Sequence, residues 1–231
     1  MLWIGLDDTD VLGSRGTGHL ARQVATLLAS DYEVLGVTRH QLLLDPRIPC
    51  TKKNSSAAVL LDAPATERER VLGIVKAAMA DAFVLGSDPG LCVAVDVPDA
   101  ITAFGHRTQQ EVVSRTDAHT LIEAHGAEAG ITLMGLGGDN RGVIGALAAV
   151  GLAATGHDGR YVLVGRIREL SGLQPIQAVL DAGVAEVRTL EGQPVIEGRI
   201  DTDRLRPARR DHRPVAVVTW DGDYWQPLKL D

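Results

Sequence analysis

Aromatic side chains are scarce in this sequence. Phe, Trp and Tyr make up 3% of 231 residues, so any interior has to be built mainly from Val, Leu, Ile and Ala. Cysteine is scarcer still: Cys50 and Cys92 show no metal-ligand spacing and are too few for a disulfide framework, which fits a reducing compartment. An excess of positive charge is also missing. The 23 Lys and Arg residues stand against 30 Asp and Glu, a net charge of −7, which argues against a chain whose main task is non-specific binding of nucleic acid or a membrane surface. There is no run of about 20 apolar residues, and Met1 leads into a strand-like segment without a basic region or an apolar signal core. These absences predict a cytoplasmic protein with no membrane partner. A homo-oligomer is compatible with them.

What is present is an alternation of strand-like and helix-like segments. "LWIGL" at residues 2–6 reads as a buried strand, and residues 19–29 put Leu20, Val24, Leu27 and Leu28 on one helical face. The β-like runs "EVLGVTRHQLLL" and "SSAAVLLD" flank the loop "DPRIPCTKKN", and "ERERVLGIVKAAMADAF" repeats apolar residues at helical spacing before the strand-like "GLCVAVD". This order is βαββαβ, the ferredoxin-like one. A mixed helical stretch near 100–126 follows. "ITLMGLGGDNRGVIGALAAVG" then repeats the opening grammar of strand, glycine turn and helix. The later pieces are "RYVLVGR", a helix in "GLQPIQAVLDAG" and the β-like "PVAVVTW". The fold class expected is α+β with two α/β lobes, residues 1–130 and 131–231. The charge run "DTDRLRPARRDHRP" reads as a solvated loop.

The opening "WIGLDDTDVLGSRGTGHLARQVA" carries the chemistry. Asp7, Asp8 and Asp10 crowd together just past a strand, where like charges repel and each resists losing its water. A positive ion would relieve them, and hard carboxylate oxygens suit Mg²⁺ held against substrate phosphates. The loop that follows leads into a helix, whose free N–H groups and dipole suit a phosphate, and Gly16 and Gly18 let the backbone approach closely. The glycine spacing matches neither the P-loop nor the dinucleotide fingerprint. Thr17 has two readings: N-cap of that helix, or a hydroxyl that binds, positions or accepts a phosphoryl group. His19 reads as a helix-start residue. Further along, Lys52, Lys53 and Asn54 are candidates to neutralise a triphosphate or simply a solvated hairpin. Arg141 and Gly142 sit at a second strand-to-helix turn, where an Arg fork suits phosphate. Asn140 reads as a turn residue and Cys50 as a small core residue.

"IGLDDTDVLGSRGTGHLA" resembles the start of the TiaS family, the tRNA-isoleucine agmatinylcytidine synthetases, with its Asp-Asp-Thr-Asp motif and a threonine at the spacing of Thr17. "LLLDPRIPCTKKNSSAAV" and "GDNRGVIGALAAVG" resemble two further segments of that family, in the same order along the chain. The resemblance implies an ATP- and Mg²⁺-dependent kinase-like part joined to a ferredoxin-like part, activating a small-molecule or nucleobase carbonyl by phosphoryl transfer. Such an enzyme is a ligase or a kinase-like transferase. By position, Asp7, Asp8 and Asp10 would serve the metal and phosphate, and Thr17 would be the family's autophosphorylated threonine. The departures are Gly16, where the family commonly has Cys, and two cysteines where a four-Cys zinc ribbon needs four. The partners expected are a nucleotide and an unidentified second substrate, with tRNA bound weakly or through a separate subunit. Two other functions stay open: a haloacid-dehalogenase-like phosphohydrolase, suggested by Asp8-Thr9-Asp10, and a module that binds nucleotide without turnover.

Overall fold

The structure, a computed structural model, describes residues 1–51, 53–82 and 84–230. The chain is α+β and divides into two compact units, Met1–Thr155 and Gly156–Asp231. The break expected after residue 130 falls inside the first unit, because the strand and helix that follow it pack on the opening strands. Among the described residues no helix is long and apolar enough to cross a membrane.

The first unit runs β1 (Leu2–Asp7), α1 (Thr17–Leu28), β2 (Glu33–Gln41), β3 (Ser55–Asp62), α2 (Arg68–Asp81), β4 (Gly90–Ala94), α3 (Asp99–Gln110), α4 (Arg115–Ala129), β5 (Thr132–Gly135) and α5 (Gly142–Thr155). Its sheet has the order β5-β4-β1-β3-β2, antiparallel at every pairing. The first four of these strands in sequence give the ferredoxin-like order β4-β1-β3-β2 that the βαββαβ pattern implies. The continuous apolar run of β1 follows from its central place, with Leu2, Ile4 and Leu6 fully buried. In α1, Leu20, Val24 and Leu28 are buried as their spacing requires, whereas Leu27 is 53% exposed. The helical stretch near 100–126 is two helices. Ser114 starts the second with a capping box to Asp117, and Gly130 ends it at φ 60°.

The α5 helix lies against β1 and β4 at very short range. A Cβ on Gly5 would fall inside the Ala146 carbonyl, one on Gly90 inside the Gly142 backbone, and one on Gly145 inside the Asp7 carboxylate. Because side chains alternate along a strand, Gly5 and Asp7 share the α5 face and Leu6 faces the other way. The absence of side chains at these contacts brings the start of α5 directly to the end of β1.

The second unit comprises β6 (Arg160–Leu163), β7 (Leu173–Pro175), α6 (Ile176–Asp181), β8 (Glu186–Thr189), β9 (Arg199–Asp201), β10 (Ala208–Arg210), β11 (Arg213–Trp220) and β12 (Trp225–Pro227). Its strands follow the order β6-β10-β11-β12-β9-β7, and β8 runs parallel to β11. The charge run read as a solvated loop is partly built into this sheet. Arg209 in β10 is 3% exposed, donates to the Tyr161 hydroxyl and stacks 5.7 Å from that ring.

Candidate active site

The first unit holds a cavity of about 220 Å³, bounded by the ends of β1 and β2, the start of α1, the loop before β3, and α5. Asp7, Asp8, Asp10, Thr17, Lys53, Asn54 and Arg141 all line it, so residues far apart in sequence meet at one wall. Gly16 and Gly18 flank Thr17 but do not line the cavity, and neither does Gly142. Lys52 lies outside the described residues.

Thr17 is the first residue of α1, and the N-cap position belongs to Gly16, which has no side chain to cap with. Asp10 does that work from outside the helix. Its Oδ1 accepts from the Thr17 N–H and the Thr17 hydroxyl, each at 3.2 Å, and its Oδ2 accepts from the Thr51 hydroxyl at 2.9 Å. A carboxylate at a helix N-terminus also meets the positive end of the helix dipole. The Thr9 hydroxyl donates to the Thr17 oxygen at 3.1 Å, so the Thr17 side chain, 6% exposed, is oriented from two sides. The local cap and the hydroxyl held at a cavity wall are therefore separate features of the same turn.

The other two aspartates are under strain of a different kind. Asp8 adopts φ 49° at the end of β1. Burial, helped by the charges of Asp88 and Asp10 and opposed by Arg141, pushes its carboxyl up to about 6. Burial raises Asp7 well above the usual carboxylate range, with repulsion from Asp8 and Asp10 adding to it and a backbone hydrogen bond opposing. Both therefore favour a partner that stabilises negative charge. Among the described residues, no three acidic, His or Cys side chains form a ready-made metal cage. Mg²⁺ does not need one: it commonly takes one or two carboxylates and completes its shell with water and substrate phosphates, and the donors here are hard oxygens.

Positive charge reaches the cavity from two places. Lys53 and Arg47, the latter paired with Asp45, come from the loop before β3, and Arg141 from the turn before α5, half-exposed, with Nη2 2.6 Å from Asp139 and Nε 3.4 Å from Asp88. Asn54 works as a clamp. Its side chain donates to the Leu43 carbonyl at 2.8 Å and its own carbonyl accepts from the Leu42 N–H, which closes the loop 43–53. The Gly142 N–H is taken up by the Asp88 carbonyl at 3.1 Å, and Asn140 occupies the turn at φ 60°. Cys50, expected in the core, is exposed on the cavity wall. Sequence reasoning missed Asp88 and Thr51. Asp88 lies in "GSDPG", where an Asp between Ser and Pro reads as a turn residue, and nothing in its spacing ties it to β1.

No protein-family model matches the chain, and neither does any curated protein. Solved structures do. Apo TiaS, an agmatidine synthetase acting on an isoleucine tRNA, aligns at 24% identity with a TM-score of 0.53 over 65% of this chain and 35% of that one. The complex of TiaS with that tRNA and ATP aligns at 25% identity and 0.54, over 65% and 36%. The fold is TiaS-like. A complex of TiaS with the tRNA, AMPCPP and agmatine agrees, at 23% identity and 0.52. The chain spans little more than a third of the length of these TiaS structures.

Proposed function

We propose that the chain is an ATP- and Mg²⁺-dependent enzyme of the TiaS-like kind, a ligase or kinase-like transferase that activates a carbonyl of a small molecule or nucleobase by phosphoryl transfer. The observation that carries this reading is the Thr17 hydroxyl, fixed by Asp10 and Thr9 at the wall of a cavity where carboxylates and the cationic side chains of Arg47, Lys53 and Arg141 converge. The likeness to the TiaS complex that contains ATP supports the nucleotide. In this reading Lys53 and Arg141 bind phosphate oxygens and steady the charge that spreads over them during transfer. Asp10 holds the Thr17 hydroxyl in one orientation, so that it receives or positions the phosphoryl group without reorganising. Mg²⁺ held by Asp7 and Asp8 would supply charge neutralisation at the phosphates. The second substrate enters where Leu42, Ile48 and Val112 give the cavity its apolar side.

Thr17→Ala tests this directly. The expected result is a folded protein with ATP consumption abolished and Thr17→Ser partly active. Wild-type ATP turnover in folded Thr17→Ala would leave the threonine a purely structural residue. The same assay separates the other functions. Hydrolysis of phosphate monoesters without nucleotide marks a phosphohydrolase, and nucleotide binding without product marks a sensing module.

A further inference from the structure

We propose that Asp88 and Asp8 together form the cation seat of this site, and that Arg141 occupies it until a divalent metal takes its place. The inference rests on the reading above and adds a residue and a displacement to it. Asp88 is 8% exposed, and neither of its carboxylate oxygens has a hydrogen-bond partner among the described residues. A buried carboxylate left in that state is costly unless something satisfies it. Its ion-pair partner among the described residues is Arg141, whose Nε stands 3.4 Å from Oδ2. That is long for a charge-assisted bond, and the other arm of the same guanidinium is held at 2.6 Å by Asp139. Arg141 is thus shared between two acids and bonds the buried one poorly.

The backbone of Asp88 is held on both sides. Its N–H donates to the Asp8 carbonyl at 3.1 Å and its carbonyl accepts from the Gly142 N–H at 3.1 Å, which pins it between the end of β1 and the start of α5. Gly138 closes the remaining side, where a Cβ would lie 2.9 Å from the carboxylate. The same pins bring Asp88 beside Asp8. The charges of Asp88 and Arg141 both act on the Asp8 carboxyl, and two carboxylates are a donor set that a divalent cation satisfies better than a guanidinium does, since it accepts oxygens from both and leaves positions for water and phosphate. Once displaced, the Nε edge of the Arg141 guanidinium is released for phosphate oxygens. Metal and nucleotide binding are then coupled through one side chain.

The test is calorimetry of Mn²⁺ binding to the full chain without nucleotide, followed by ATP binding in its presence. Asp88→Asn should weaken Mn²⁺ by about tenfold or more. Arg141→Ala should tighten Mn²⁺ alone, because the competing cation is gone, and weaken ATP. Arg141 is half-exposed, so that variant decides the matter even if Asp88→Asn fails to fold. Mn²⁺ affinity that is unchanged or lower in Arg141→Ala, or undetectable in both it and the wild type, overturns the proposal, as does unchanged affinity in folded Asp88→Asn. ATP turnover that depends on Thr17 while metal affinity ignores Asp88 and Arg141 would leave the proposed function standing and remove this inference alone.

Discussion

Asp8 is a residue whose ionisation works against the fold. A carboxyl held at about 6 in the folded chain, against about 4 when unfolded, stabilises the protein while protonated, and that stabilisation is lost as the pH rises from about 4 to about 6. Asp8→Asn cannot ionise. Its melting temperature should therefore gain on the wild type across that window and hold the gain above it. Thermal scans from pH 4 to pH 8 check this, and a difference that stays flat throughout would show that the Asp8 carboxyl is not displaced. The residues of this site were unevenly legible in sequence. Asp7, Asp8, Asp10 and Thr17 stood out because charge crowding beside a strand end is visible in one short window. Asp88 did not, since its role arises only when the chain returns to β1 after two further strands and two helices and is pinned there by backbone bonds.

At the scale of elements, α5 decides the geometry of the site, and glycines decide where α5 lies. Gly90→Ala would drive a methyl group into the Gly142 backbone, which cannot give way as a flexible side chain would. The expected cost is about 1–3 kcal/mol or more in chemical denaturation. Gly18→Ala is the contrast. Nothing lies within 4 Å of its Cβ position, and within a helix alanine is favoured over glycine by about 0.5–1 kcal/mol. That variant should be more stable, and if ATP affinity also stays unchanged, Gly18 has no part in a phosphate cradle. Helical spacing found α1 and α2 because each buries one face, and continuous apolar runs found β1 and β4 because each is buried on both. Helical spacing also joined α3 to α4, whose break at 111–114 is made by the Ser114 capping box rather than by Gly or Pro. Periodicity read β10 as part of a loop, since three residues of Ala and Arg show no alternation, and the buried Arg209 is received by Tyr161 and His212.

At the scale of the whole molecule, charge sets the terms for a large partner. With a net charge of −7, the chain should bind bulk tRNA weakly, and filter binding should fall steeply between about 50 and 200 mM salt. Tight binding that resists salt would mean that the arginines of the second unit, Arg204 and Arg213 among them, form a stronger contact surface than their net balance indicates. Such a result would also bring tRNA into the substrate question without a separate subunit. The division at Thr155 was hard to read from sequence, because "ITLMGLGGDNRGVIGALAAVG" looks like the opening of a new lobe, yet its helix completes the core of the first. That core also holds one of the chain's two thiols. Cys92 is fully buried in β4 and burial raises its thiol far above the usual range, while Cys50 is exposed. Alkylation by a maleimide therefore counts one thiol per native chain and two per unfolded chain. The molecule carries its own tally of how many copies are folded, read by mass alone.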